Sequence, residues 1–135
     1  QRVISSLLAK ALEGTDHAEG GLRLAFQPKV DAHSAALVSS EALLRFQTEE
    51  TGLVPTLEVL EHAQVSGLTN SLDRWVLTRA VGTLVELRAD LVPIFPISVN
   101  IRAETAFAPD FIQFVSDTLA HARVDPVLLE IEFRE

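Results

Sequence analysis

The chain has 135 residues, 47% of them hydrophobic, which is enough for one domain with a buried core. Lys and Arg total 11 against 19 Asp and Glu, and the net charge of -8 argues against DNA, RNA or an anionic membrane as a non-specific partner. Cysteine is absent, which excludes disulfides and thiolate metal sites, and no apolar run is long enough to span a bilayer.

Arg2 to Leu12 puts Val3, Ile4, Leu7, Leu8 and Ala11 at helical spacing and predicts a short amphipathic helix stopped at Gly14. A polar, Gly-rich linker follows to Gly21, so residues 1–21 read as helix and linker, and 22–135 as the domain. The helix suits two readings equally: the tail of a connector from an upstream domain, or an element that packs on this one.

Leu22 to Val30 alternates, with Leu22, Leu24 and Phe26 on one side and Arg23, Ala25 and Gln27 on the other. Pro28 suits an edge strand or a strand end. Asp31 to Ala35 is a short turn, so the next strand, Ala36 to Phe46, should run antiparallel to the first. That strand sets Ser39, Glu41, Leu43 and Arg45 on one face and Ser40, Ala42, Leu44 and Phe46 on the other. A carboxylate among apolar neighbours is costly unless something pairs with it.

Gln47 to Val54 reads as a loop, and Pro55 opens a helix that ends at Gly67. Asn70 is the expected N-cap of a second helix running to about Arg88, with Leu72, Trp75, Val76, Ala80, Leu84 and Leu87 as its apolar stripe and Trp75 as a core anchor. Ile94 to Ile101 is the next strand, with Ile97, Val99 and Ile101 opposite Ser98 and Asn100. Pro109 opens a helix that buries Phe111, Phe114, Val115 and Leu119. Asp125-Pro126 turns the chain into a last strand, where Val127, Leu129, Ile131 and Phe133 oppose Leu128, Glu130 and Glu132.

Strand, strand, two helices, strand, helix, strand is a hairpin followed by alternating β and α, the mark of a parallel sheet with helical crossovers. Each strand has one apolar face suited to a layer of helices. The other faces carry Gln27, Glu41, Arg45, Asn100, Glu130 and Glu132, which point inward in a barrel. Asn100 and Glu132 lie near the C-terminal strand ends, where barrel enzymes keep their chemistry.

Glu41, Asn100 and Glu132 offer hard oxygen donors suited to Mg²⁺, Mn²⁺ or Ca²⁺. The same carboxylates equally suit structural ion pairs with Arg or Lys. Arg45 lies roughly 13 Å beyond Glu41 along an extended strand, too far to pair with it but placed to hold a phosphate. The four histidines (His17, His33, His62, His121) share no metal-ligand spacing and read as surface residues.

Several ordered stretches resemble the EAL domain family of bacteria. They are Phe26-Gln27-Pro28-Lys29-Val30-Asp31, Glu41-Ala42-Leu43-Leu44-Arg45-Phe46, Gly52-Leu53-Val54-Pro55, Asp73-Arg74-Trp75-Val76-Leu77, Ser98-Val99-Asn100 and Leu129-Glu130-Ile131-Glu132-Phe133-Arg134-Glu135. The resemblance implies an α/β fold: part of a modified TIM (β/α)8 barrel with an antiparallel first strand, here truncated after about half the barrel. It implies a phosphodiesterase that hydrolyses cyclic di-GMP to pGpG with Mg²⁺ or Mn²⁺, in a cytoplasmic signalling protein.

By position, the resemblance implies Glu41, Asn100 and Glu132 as metal ligands, Gln27 and Arg45 as substrate contacts, and Glu135 as support for an active-site loop. No further catalytic residue falls within this half. Three departures from the family pattern stand out, at Thr48-Glu49, Arg102 and Arg134, the last expected to pair with a neighbouring carboxylate and disturb the metal cradle. A complete barrel needs about 250 residues. With no Met and a start at Gln1, the chain reads as a segment of a longer protein, inactive alone and completed by a second half or a second copy. The alternative is a degenerate, non-catalytic module that binds cyclic di-GMP or a protein partner.

Overall fold

The structure is a computed structural model and describes residues 2–13, 21–91 and 93–134. The expected Gly14 stop, the linker to residue 20, His17 and Glu135 lie outside the described residues. The sheet is built on a long central strand. β1 (Leu22–Val30) turns into β2 (Leu37–Thr48), and the two run antiparallel in a register that sets Gln27 opposite Glu41 and Arg23 opposite Arg45. The turn is held by Asp31, whose Oδ1 accepts from the N–H groups of His33 and Ser34 at 2.8 and 3.0 Å. Pro28 is tolerated because β1 is the edge of the sheet.

β2 runs past Phe46, where a loop was expected. It pairs antiparallel with a short strand, β3 (Gly52–Val54), through Phe46 and Val54, Gln47 and Leu53, and Thr48 and Gly52. Helices α2 (Thr56–Val65) and α3 (Thr69–Ala89) follow. Asn70 is not the N-cap: α3 starts two residues earlier than that cap implies, with Leu68 at the cap position, and Asn70 Oδ1 instead accepts from Arg74 Nε one turn on at 3.0 Å. β4 (Ile97–Arg102) is shorter than expected, since residues 94–96 are not in the ladder. It leads directly into a short helix, α4 (Ala103–Ala106), that the sequence reading lacked. Helix α5 (Phe111–Ala122) ends on Arg123 in the left-handed conformation at φ 56°. A single 3₁₀ turn, Pro126–Leu128, precedes β5 (Leu129–Arg134).

The sheet order is β1-β2-β4-β5, with β4 parallel to both β2 and β5. Its helix-facing side carries Ala42, Leu44 and Phe46 from β2 and Ile97, Val99 and Ile101 from β4, all buried. α3 covers them with Leu72, Trp75, Val76, Ala80 and Leu84, and also with Leu77 and Val81, so its buried face is wider than one stripe. The N-terminal helix α1 (Arg2–Glu13) packs on this layer through Ile4, Leu8 and Ala11.

β5 differs from expectation in its apolar face. Leu129 and Ile131 are only partly buried, Val127 lies in the 3₁₀ turn at 70% exposure, and Phe133 is 61% exposed. β5 is the second edge of the sheet, with no strand beyond it among the described residues. His62 also departs from a surface role: it is partly buried, with Nδ1 at 3.4 Å from Ser5 Oγ on α1.

Candidate active site

β2, β4 and β5 bring the expected site residues to one face of the sheet. The register forms a row across the strands, Gln27 to Glu41, Glu41 to Ser98, and Ser98 to Glu130. One step toward the C-terminal ends, Asn100 is paired with Glu132 and Arg102 with Arg134. Asn100 and Glu132, toward the ends of β4 and β5, and Glu41, mid-strand in β2, therefore lie on one diagonal, on the face that the alternation of side chains gave them.

These side chains touch. Asn100 Nδ2 donates to Glu41 Oε2 at 3.1 Å. Arg134 Nε donates to Asn100 Oδ1 at 3.0 Å, and its Nη2 donates to Glu132 Oε2 at 3.3 Å. Lys29 Nζ donates to Glu132 Oε1 at 3.3 Å and stands 4.0 Å from Glu41 Oε1. The result is a closed ring of two carboxylates, one amide and two cations. Ser98, beneath it, is 1% exposed, and its Oγ has no partner among the described residues, a position suited to a bound water or a ligand group.

The donor set has the chemistry of a hard divalent cation site. In this arrangement, however, its oxygens do not fit one. Asn100 Oδ1 and both Glu132 oxygens already accept from Arg134 and Lys29. Among the described residues, no group of three or more acidic or histidine side chains is placed to hold a metal ion.

Beside the ring, β2 and β4 part. Among the described residues they pair only through Ser40 with Ile97 and Glu41 with Ser98. β1 occupies one edge of β2 at Phe46, so β3 takes the other edge, and among the described residues β2 between Ala42 and Arg45 has no strand beside it on that edge. The Leu44 carbonyl there accepts from Thr56 Oγ1 at 2.9 Å and from Arg45 Nη1 at 3.0 Å. The gap is a crevice of about 410 Å³, walled by Leu43, Leu60 and Leu72 and bearing Arg45, Asn100, Arg102 and Arg134. Three guanidinium groups thus gather at the C-terminal ends of the strands in a chain that is acidic overall.

Arg102, a departure in the sequence, is anchored from below. Asp73 on α3 is 1% exposed and accepts from Arg102 N–H at 3.0 Å, Arg102 Nη1 at 3.0 Å and Thr105 Oγ1 at 2.7 Å. Burial nevertheless raises its carboxyl above the ordinary 3.8, against these hydrogen bonds and the Arg102 charge. Gln27 lies opposite Glu41 but is exposed on the edge strand, and Arg45 makes no ion pair among the described residues.

Sequence reasoning missed Lys29 and the Asp73–Arg102 pair. Lys29 shares the parity of Gln27 on β1, so carrying the alternation two residues further would have placed it on this face. The Asp73 contact joins residues 29 apart through tertiary packing and leaves no local signal.

An antiparallel first strand, parallel strands with helical crossovers, and polar side chains at the C-terminal strand ends define a partial, modified TIM-like barrel. The profile of the EAL domain matches residues 9–135, and the chain belongs to that family.

It is 29% identical over 117 residues to a cyclic di-GMP phosphodiesterase of Pseudomonas aeruginosa, covering 87% of this chain and 20% of that protein. It is also 29% identical over 128 residues to the cyclic di-GMP phosphodiesterase PdeR of Escherichia coli, covering 95% of this chain and 18% of that one. The crystal structure of the FimX EAL domain from Pseudomonas aeruginosa bound to c-di-GMP superposes with a TM-score of 0.79 at 25% identity, covering 96% of this chain and 49% of that one. The chain spans a fifth or less of the length of these curated relatives, and about half of the FimX domain.

Proposed function

We propose that this chain belongs to bacterial cyclic di-GMP signalling and forms one half of a cyclic di-GMP site. The complete domain is of the phosphodiesterase type, and this segment alone binds rather than cleaves. The observation that carries the reading is the crevice between β2 and β4, where Arg45, Arg102 and Arg134 meet Asn100 at the strand ends. A diester phosphate there would accept charge-assisted hydrogen bonds from Arg45, which has no carboxylate partner among the described residues. Leu43, Leu60 and Leu72 give an apolar wall against which a purine can pack. Gln27 lies beside Glu41 and is placed to contact the nucleotide from the edge strand.

In the complete domain the reaction would be attack of water on one phosphodiester, with Glu41, Asn100 and Glu132 at the reacting centre and Mg²⁺ or Mn²⁺ as the cofactor the family implies. As arranged here these residues bind Arg134 and Lys29 instead, so no step is assigned to a metal. A second reading, a non-catalytic module that binds cyclic di-GMP or a protein partner, is favoured by that same Arg134 contact. A second half-barrel or a second copy would cover the polar inner face. Cytoplasmic residence accords with a bacterial second messenger.

Calorimetric titration with cyclic di-GMP, beside an assay for pGpG with Mn²⁺ present, tests the proposal. Binding without turnover by the 135-residue chain is expected. Turnover abolished by Glu41→Ala would overturn the claim that the segment only binds. No binding by the chain or by the longer protein would overturn the nucleotide reading itself.

A further inference from the structure

We infer that Arg134, assisted by Lys29, is the resident cation of the cradle, standing in the place a divalent ion would take and closing the site without metal. The inference rests on the proposed function only in treating Glu41, Asn100 and Glu132 as the ligand-facing group.

Space is the first argument. One planar guanidinium reaches oxygens on two strands, Asn100 Oδ1 at 3.0 Å and Glu132 Oε2 at 3.3 Å. A Mg²⁺ ion held by those two oxygens would sit about 2.1 Å from each, in the volume the guanidinium nitrogens fill. Both cannot be there. Asn100 is committed as well: its Nδ2 is given to Glu41 and its Oδ1 to Arg134, so its amide relays between carboxylate and cation.

Charge is the second argument. Glu41 and Glu132 are matched by Lys29 and Arg134 within 4.0 Å contacts, so the ring is balanced. A divalent ion added to it meets two cations before it meets unpaired anions, and the repulsion of charges at such distances is large even with strong screening.

The side chains of Lys29, Glu132 and Arg134 are 41%, 37% and 59% exposed, and exposed ion pairs are individually weak. Exclusion therefore comes from occupied space and balanced charge, not from strong bonds. Arg134 ends the edge strand β5 and can swing into solvent, so metal affinity is lowered and not abolished.

The test is a Mn²⁺ titration followed by the electron paramagnetic resonance signal of the free ion, with no nucleotide present. Arg134→Thr keeps a residue suited to a strand and removes the charge. It should bind Mn²⁺ at least about tenfold more tightly than the unaltered protein. Arg134→Lys should retain weak binding, and Glu132→Gln added to Arg134→Thr should cancel the gain. Equal Mn²⁺ affinity of Arg134→Thr and the unaltered protein would overturn the inference.

Should Arg134→Thr not fold, the Nε–H resonance of Arg134 in the unaltered protein decides. Its persistence in submillimolar Mg²⁺ supports a resident guanidinium, and its displacement already at that level overturns one. The titration contains no cyclic di-GMP, so its failure leaves the nucleotide reading standing. Loss of nucleotide binding in the earlier test likewise leaves this one standing.

Discussion

Lys29 and Glu132 are 103 residues apart in the chain and 3.3 Å apart in space. They belong to β1 and β5, the two edges of the sheet order. Three inter-strand spacings, roughly 14 Å in a flat sheet, separate those edges. Two long side chains close that distance only because the sheet curls toward its polar face, as strands of a barrel must. The ring around Asn100 is thus a product of curvature, and changes to it report on the site more than on stability.

The first prediction follows from that. Lys29→Met should lower stability by less than about 1 kcal/mol, because both partners are more than a third exposed. Urea denaturation should show nearly the same midpoint, while Mn²⁺ affinity rises, though by less than in Arg134→Thr. A large loss of stability would mean the contact supports the fold itself.

Asp73 should behave in the opposite way. It is buried and holds Arg102 and Thr105 through three hydrogen bonds. Asp73→Ala strands the Arg102 charge and should cost about 3–5 kcal/mol in urea denaturation. Asp73→Ala with Arg102→Met should recover part of that loss.

Asp73 also sets a pH dependence. Its folded pKa is raised, so between the ordinary 3.8 and the folded value the native state holds more protons than the unfolded one. Its contribution to stability is therefore greatest at low pH, falls as pH rises through that interval, and is flat above it. Stability measured against pH should show this slope as a difference from Asp73→Asn, and a difference that rises with pH would contradict it.

Two glycines with positive φ should separate conformational from steric cost. Gly52, at φ +65°, has open space where a Cβ would go, so Gly52→Ala should cost about 1 kcal/mol. Gly21, at φ +86°, would bring a Cβ within 2.5 Å of the Gln47 carbonyl oxygen, and that backbone is held by the Gln47 N–H to Gly21 O bond of 3.1 Å. Gly21→Ala should cost clearly more. Equal thermal midpoints for the two variants would show that the β2 end yields.

Arg45→Ala should weaken cyclic di-GMP binding by about 10- to 100-fold, the range for losing a charged hydrogen bond to phosphate. The thermal midpoint should hardly move, because Arg45 bonds only the neighbouring Leu44 carbonyl in the described structure. Unchanged affinity by calorimetry would place the phosphate elsewhere.

The hairpin, the parallel order and the diagonal of Glu41, Asn100 and Glu132 were legible because strand alternation is a local pattern. Phe46 and Val99 are wholly buried where the period put them, while Asn100 faces the other way. β3 was not legible: three residues carry no period, and their pairing depends on how far β2 runs. Phe133 misled because an apolar face predicts burial only where a layer covers it, and β5 is an edge. The sequence marked Arg134 as a disturbance of the cradle, but that its guanidinium reaches both Asn100 and Glu132 needed coordinates, as did the reach of Lys29 across the sheet.

The brief pairing of β2 with β4 makes the sheet two ribbons joined at one stitch. β1 with β2 is one ribbon, β4 with β5 the other, and Ser40–Ile97 and Glu41–Ser98 are the thread. Glu41 stands on the stitch itself. Its backbone pairs with Ser98 while its side chain accepts from Asn100 Nδ2, so one residue joins the ribbons through both main chain and side chain. The seam that holds the two ribbons together therefore also fixes where the carboxylate stands beside Asn100.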